Sequence, residues 1–487
     1  MSQVLEFLLT YIWPLALAAL HVVLMAVASC HVVLTKRDPR AALGWVGIIC
    51  LTPIFGTILY VMFGVNRIHR RARSLRRSRT DSEAVHEPRP VSDDVLVTVL
   101  GDEATHLAPL SPLVGRLTRL PLLDGNRVTP LISGHAAYDA MLAEIDAAEH
   151  SVALMTYIFD NDACGLRFAD ALERAQQRSV QVRVLIDDVG ARYTIPSIRR
   201  TLKKRGIPNA TFLPTLTPVK LHYTNLRNHR KILVIDGKVG FTGGMNIRQG
   251  HLCDVNCKHP VLDLHFRIDG PVVDHLRTAF AADWDFATQE HLDGTDWFPP
   301  LAPAGHSVCR GIIDGPEIES ETLRLTILGA VGCARHSIQI VTPYFLPDQP
   351  LITALNVAAM RGVAVHIVLP EKGNLRLVQW ASTAQLWQVL QRGCRVWLTP
   401  PPFDHTKVML VDGAWSLIGS GNWDPRSLRL NFEFNVECYD QELAAELAAL
   451  IQKKKAGARE TTLAEVDGRP LWMRLRDGFC RLAQPYL

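Results

Sequence analysis

The chain has 487 residues, too many for one ordinary hydrophobic core, so length alone implies two or three domains. Hydrophobic residues make up 48% against 21% charged, which excludes a globally disordered chain and leaves apolar material for both a packed core and membrane-embedded sequence. A formal net charge of +4 is too small for wholesale nucleic-acid binding, and ten scattered cysteines lack the density of a secreted disulfide scaffold, so a reducing compartment is expected.

In chain order, the first element is apolar. Between Val4 and Thr35 the only formally charged residue is Glu6, and between Leu43 and Val65 there is none. Each stretch exceeds the ~20 residues needed to span hydrocarbon, which predicts two transmembrane helices forming a hairpin over residues 1–66. The first is too long for a signal peptide's apolar region and lacks a basic start, so the anchor is expected to remain. Pro53 and Gly56 interrupt the second, as a kinked helix or a re-entrant turn would require. His21 and His31 are read as packing or interfacial residues rather than a proton relay. The connector holds Lys36, Arg37 and Arg40, whereas seven arginines follow from Arg67 to Arg79. That excess places the amino terminus and everything after residue 66 in the cytoplasm, and could also pair with anionic headgroups. Residues 67–125 are expected to be a basic juxtamembrane segment and linker, since about 81–112 lacks periodicity.

The rest reads as one unit written twice, over 126–312 and 313–487. His150-Ser151-Val152 running to Phe159 matches His336-Ser337-Ile338 running to Phe345. Behind each comes a helical stretch, near Gly165 to Arg178 and Leu351 to Arg361, and then an apolar strand, Val180 to Ile186 and Val363 to Leu369. Strand, helix, strand in duplicate predicts an α/β fold: two tandem domains, each a mixed sheet flanked by helices, packed as a pseudo-dimer.

The chemistry lies in a third match. His229-Arg-Lys231 followed by Asp236 stands against His405-Thr-Lys407 followed by Asp412, both reading His-x-Lys-x4-Asp. Each leads to a Gly-rich turn ending in Asn, Gly243-Gly244-Met-Asn246 and Gly419-Ser420-Gly-Asn422, and then to a strand opening with an acid, Asp263 and Glu433. On a strand, residues two apart share a face, so each histidine stands beside its lysine. Two such pairs meeting across a domain interface would surround a phosphodiester with two cations and two titratable rings. One histidine attacks phosphorus while the other protonates the departing oxygen and later deprotonates the incoming alcohol, with no metal or cofactor required. The glycines would let backbone approach phosphate and the asparagines donate to it, while Asp263 and Glu433 would fix the ring tautomers or form structural ion pairs. Asp236 and Asp412 belong to the motif, but their odd offset from the histidines and the glycine after each favour a turn-stabilising role. Gly244 where the other copy has Ser420 removes one hydroxyl from the first half-site.

His251, Cys253, Cys257 and His259 put four soft metal ligands within nine residues, but their spacing suits a surface loop better than a zinc knuckle. Trp423 beside Asn422 would line a channel or pack. From Leu471 to Leu482, basic and bulky apolar residues alternate at helical spacing, as on a membrane-surface helix or a domain cap.

With both motifs in view, the chain over 126–487 resembles the phospholipase D superfamily. The run Leu221 to Lys231, Asp-Leu-His-Phe-Arg-Ile-Asp-Gly-Pro from Asp263, and Asp424 to Glu433 are similar to bacterial cardiolipin synthases. The resemblance implies phosphatidyl transfer between two phosphatidylglycerols through a phosphohistidine, with His229 the nucleophile and His405 the general acid and base. The residues themselves do not order the histidines. Water as acceptor, giving a hydrolase, or a different headgroup would use the same groups.

Overall fold

The computed structural model describes residues 8–36, 39–64, 91–214, 226–253, 257, 259–316 and 321–484. The arginine run from Arg67 to Arg79 and residues Leu221 to Asn225 lie outside that range. The chain divides into an amino-terminal unit and a larger unit comprising most of the rest.

In the amino-terminal unit, Trp13–Thr35 is one α-helix continued at its start by a π-turn, Leu8–Ile12. Thr10–Thr35 spans 26 residues and, among the described residues, is the one helix long and apolar enough to cross a membrane. The second apolar stretch is not a single helix. It breaks into Pro39–Leu51 and Pro53–Leu59, followed by a π-turn over Tyr60–Gly64. Pro53 forces Thr52 out of the helical region, to φ −139° and ψ 72°. The two pieces fold back on each other, because a Cβ on Gly56 would lie 2.5 Å from the Ile48 carbonyl oxygen. The end of the stretch returns to the carboxyl end of the first helix, where Tyr60 Oη bonds His31 Nδ1 at 2.7 Å and Lys36 Nζ donates to the Gly64 carbonyl at 2.5 Å. His31 is thus tied into this helix packing.

The larger unit is built on a 15-stranded sheet. Its first half supplies β1 (Leu123–Leu131), β2 (Ser151–Thr156), β3 (Gln181–Asp187), β4 (Asn209–Phe212), β5 (Ile232–Ile235), β6 (Val239–Gly243) and β7 (His265–Asp269). Its second half supplies β8 (Ser307–Asp314), β9 (Ser337–Val341), β10 (Ala364–Pro370), β11 (Arg395–Thr399), β12 (Val408–Val411), β13 (Trp415–Gly419), β14 (Glu433–Tyr439) and β15 (Arg459–Thr461). Outward from the central antiparallel pair β1/β8, one side runs β7, β6, β5, β2, β3, β4 and the other β14, β13, β12, β9, β10, β11, with β15 on the last edge. The duplicated sequence has become a pseudo-twofold. Each β2–helix–β3 and β9–helix–β10 unit is parallel, as its helical connection demands.

Two features depart from the sequence reading. One sheet runs through both halves, and β8 straddles positions 312 and 313. The expected linker is structured at its end: Asp93–Ala104 and Leu110–Thr118 are helices whose Leu96, Leu100, Leu110 and Val114 join the core of the second half with Ile327 and Val331. Acidic residues and Pro109 and Pro112 had diluted that apolar period.

Between the halves, Phe266, Ile268 and Phe280 from the first share a cluster with Val408, Phe434 and Leu447 from the second. This shared core fixes the halves against each other where the motifs converge.

Candidate active site

His229, Arg230 and Lys231 form an extended run into β5, and His405, Thr406 and Lys407 the equivalent run into β12. Each run pairs with the opposite half. The His229 amide donates to the Phe432 carbonyl at 2.9 Å, and the His405 amide to the Leu262 carbonyl at 2.7 Å. The next residue in each partner strand is the acid. Glu433 therefore holds His229, with Nδ1 3.0 Å from Oε2 and 3.1 Å from Oε1, while Asp263 holds His405 with Nδ1 2.7 Å from Oδ2. Both acids do meet histidines, but crosswise, so neither half makes a complete pair alone. With each Nδ1 directed at a carboxylate, each Nε2 is left for chemistry.

The lysines fold back along their own runs. Lys231 Nζ donates to the His229 carbonyl at 2.6 Å and Lys407 Nζ to the His405 carbonyl at 2.5 Å, the latter also lying 2.9 Å from His405 Nδ1. All six groups are buried, Glu433 completely.

The remaining motif residues divide. Asp236 and Asp412 are not in this cluster. Asp236 accepts backbone N–H groups of Glu149, His150 and Ser151, and Asp412 those of Arg335, His336 and Ser337 at 2.7, 2.8 and 2.6 Å, with His106 Nε2 at 2.6 Å. Each stands at positive φ, 49° and 53°, before a glycine also at positive φ, in a tight hairpin turn. Their place in a catalytic set is therefore corrected to the turn role that the odd offset suggested. Gly243 and Gly419, at φ 150° and 144°, press on the neighbouring strand, where a Cβ would lie 2.7 Å from the Leu264 carbonyl and 2.5 Å from that of Phe434. They let the neighbouring strand pack closely.

Gly244 and Ser420 differ for a reason. Ser420 Oγ donates to Glu433 Oε2 at 2.5 Å, whereas a Cβ on Gly244 would lie 2.2 Å from Asp263 Oδ1. Asn246 Oδ1 accepts the Ile158 amide at 3.1 Å, and Asn422 Nδ2 donates to Ser427 Oγ at 3.2 Å. Both asparagines thus brace the turn first. Trp423 stacks on Phe345 at 6.0 Å and 4% exposure, which is packing. The loop reading of His251 is corrected as well: it is buried, and its Nε2 accepts the Asn246 amide at 3.4 Å.

Sequence reasoning missed three groups. Tyr157 and Tyr344 set ring edges against His229 and His405 at 5.3 and 6.2 Å. Both tyrosines stood in the repeat, offset by one position, which hid their equivalence. Arg230, the unremarked middle residue of its motif, donates to the carbonyls of Glu433 and Asp314 at 3.1 and 3.0 Å and pairs with Asp283 at 2.6 Å. It fastens the first half to the strand that presents Glu433.

A family model described as "Cardiolipin synthase, PLD-like domain" matches residues 141–284 and 327–454, the two halves of the sheet, and one described as "Phospholipase_D-nuclease N-terminal" matches 23–64. Among curated relatives, cardiolipin synthase A of Pseudomonas putida is 31% identical over 485 residues, 98% of each chain. The chain belongs to the cardiolipin synthase family of phospholipase D-like proteins. The major cardiolipin synthase ClsA of Bacillus subtilis is 30% identical over 464 residues, 93% of this chain and 95% of its own. A phosphatidylserine synthase from Haemophilus influenzae shares the fold, with a TM-score of 0.62 at 16% identity over 78% of this chain and all of its own.

Burial dominates the electrostatics of this family site. It lowers His229 to about 4, against the pull of Glu433, and lowers His405 well below the usual range with help from the cations of Lys407 and Lys231. Lys231 and Lys407 fall to about 7 and about 8 for the same reason. Burial would raise Glu433, but His229 and Lys231 hold it below its ordinary value, whereas burial raises Asp263. A phosphodiester anion beside these groups would favour the protonated form of the lysines and of an acid ring.

Proposed function

We propose that this protein is a cardiolipin synthase, a phosphatidyltransferase that joins two phosphatidylglycerols through a phosphohistidine. What supports the reading is the crosswise pair of histidine–carboxylate contacts, flanked by two lysines, in a chain alike over nearly its full length to cardiolipin synthases. Neutral His229 Nε2 attacks phosphorus, the bond to the headgroup glycerol breaks, and His405 gives its proton to the leaving alkoxide. The terminal glycerol hydroxyl of a second phosphatidylglycerol then attacks phosphorus, its proton passes to His405, and the nitrogen–phosphorus bond breaks. Cardiolipin and glycerol leave, with one phosphodiester exchanged for another. Lys231 and Lys407 neutralise the nonbridging oxygens, and Asp263 and Glu433 stabilise the charged rings. No nucleic acid takes part. The reverse assignment would use the same two histidine–carboxylate pairs, and Glu433→Gln against Asp263→Asn tells the two orders apart.

The proposal extends to the membrane. Thr10–Thr35 crosses the inner membrane, and Pro39–Gly64 enters and returns on one face, a reading supported by the Lys36–Gly64 bond and the break at Thr52. Lys36, Arg40 and the arginines from Arg67 onward then share a face, which the positive-inside tendency makes cytoplasmic along with the catalytic halves. The amino terminus lies opposite, unlike in the two-crossing hairpin. A reporter active only outside the cytoplasm, fused to residue 1, should be active; silence there would restore the second crossing.

The test of function is phosphatidylglycerol alone, given to the purified protein in liposomes with chelator, followed by mass analysis of lipids and released headgroup. Cardiolipin with free glycerol is expected. Phosphatidic acid would make water the acceptor and the protein a hydrolase.

A further inference from the structure

The carboxyl-terminal helix Leu471–Leu482 carries an apolar stripe that its own unit leaves uncovered. Leu471, Trp472, Leu475, Phe479 and Leu482 are 69, 59, 54, 70 and 72% exposed, and their spacing puts them on one side. Its acid, Asp477, points inward, buried and paired with Arg469 and Arg476. Arg474 stands exposed beside the stripe and Arg481 half-exposed. The helix packs on Arg376–Thr383, whose start adds exposed Leu375 and Leu377 beside the exposed Lys372 and Arg376. The resulting face is apolar at its centre and cationic at its rim.

This face borders the site. Beneath it, Cys480 packs with Val378, Ala381, Leu346 and Tyr344. Leu375, Val378 and Tyr344 also line a cavity of about 360 Å³, and the Tyr344 ring sets its edge against His405. A lipid drawn out of a bilayer under Leu475 and Phe479 would meet a cavity whose wall includes Tyr344, the ring that lies against His405.

We propose that helix Leu471–Leu482, with the start of Arg376–Thr383, seats on the anionic phospholipid bilayer and admits lipid to the cavity beside Tyr344. The occupant is the membrane surface because bulky apolar side chains flanked by arginine and lysine match headgroups over acyl chains. The choice of lipid rests on the function proposed above, so its test includes a readout independent of catalysis.

Full-length protein is reconstituted in vesicles containing phosphatidylglycerol brominated midway along its chains. Wild-type fluorescence should be quenched more than that of Trp472→Phe, whether or not cardiolipin forms. Leu475→Ser/Phe479→Ser should lose at least tenfold in activity on long-chain phosphatidylglycerol in vesicles, yet stay within twofold of wild type on a water-soluble short-chain phosphatidylglycerol. The second measurement also shows that the variant is folded. Equal quenching of wild type and Trp472→Phe would overturn the proposal. So would a detergent-solubilised dimer that the double variant converts to monomer, since a second copy would then own the stripe.

Discussion

Replacing Glu433 by Gln removes a charge while keeping shape, which makes it the sharpest probe of the crossed pairing. Glu433 is fully buried and accepts from Ser420 Oγ at 2.5 Å and Asn431 Nδ2 at 3.2 Å besides His229. The amide can keep an oxygen toward His229 Nδ1, so the ring stays in place. What disappears is attraction between the carboxylate and the positive ring that forms once Nε2 bonds phosphorus. Two charges about 4 Å apart at an effective dielectric of about 20 attract by about 4 kcal/mol. The remaining amide hydrogen bond retains about 1 kcal/mol of that, leaving a loss of about 2–3 kcal/mol. The expected fall in kcat is about 30- to 150-fold, with the KM for phosphatidylglycerol changed little. Rapid mixing, alkaline quench and mass detection of phosphohistidine should show slowed formation of the adduct. A synthetic phosphatidyl ester of p-nitrophenol, whose leaving group needs no proton, should not rescue Glu433→Gln but should rescue Asp263→Asn. A kcat for Glu433→Gln within threefold of wild type, in a protein that melts normally, would refute the reasoning; rescue in the opposite pattern would exchange the histidines' roles.

Burial lowers Lys231 to about 7 and Lys407 to about 8, so kcat/KM for the free enzyme should fall as pH rises through that range, and a profile flat to pH 9.5 would contradict it. Stability should run the other way over the same groups: an unfolded lysine keeps its proton to about 10.4, so the folded state gains stability as pH rises above about 7. Asp412→Ala strips the acceptor from three backbone amides and His106, which should cost about 2–4 kcal/mol and lower Tm by roughly 2–5 °C, read by calorimetry, while the folded fraction keeps its kcat. Gly244→Ser should be worse for turnover than Ser420→Ala, because the added Cβ displaces Asp263 from His405 whereas the deletion removes one hydrogen bond from Glu433; equal losses in a steady-state assay would show that Asp263 tolerates the displacement.

The duplicated strand–helix–strand pattern and the paired motif were legible because each is a local periodicity written twice, and β2, β3, β9 and β10 lie where that pattern placed them. The structured part of the linker was not, since Leu96, Leu100 and Val114 reveal a helix face only against the second half's core. Nor was the broken second span fully legible: Pro53 and Gly56 announced an interruption, but not that the Ile48 backbone would lie against Gly56.

The crossed pairing was out of reach for a deeper reason. A repeat invites the assumption that each copy builds its own half-site, with His229 served by Asp263 and His405 by Glu433. Here the histidine-bearing run of each copy instead bonds through its backbone to the residue just before the other copy's acid, Phe432 or Leu262. The sequence is symmetric under exchange of copies, so both arrangements satisfy the same offsets, and the crossed one goes with a core shared between the halves, where Phe266 and Phe280 cluster with Val408 and Phe434. The result ties chemistry to assembly. Because each ring is oriented by the opposite half, a motion that loosens the shared core would disarm both histidines together, and activity should be lost in step with inter-half packing rather than with the integrity of either half alone.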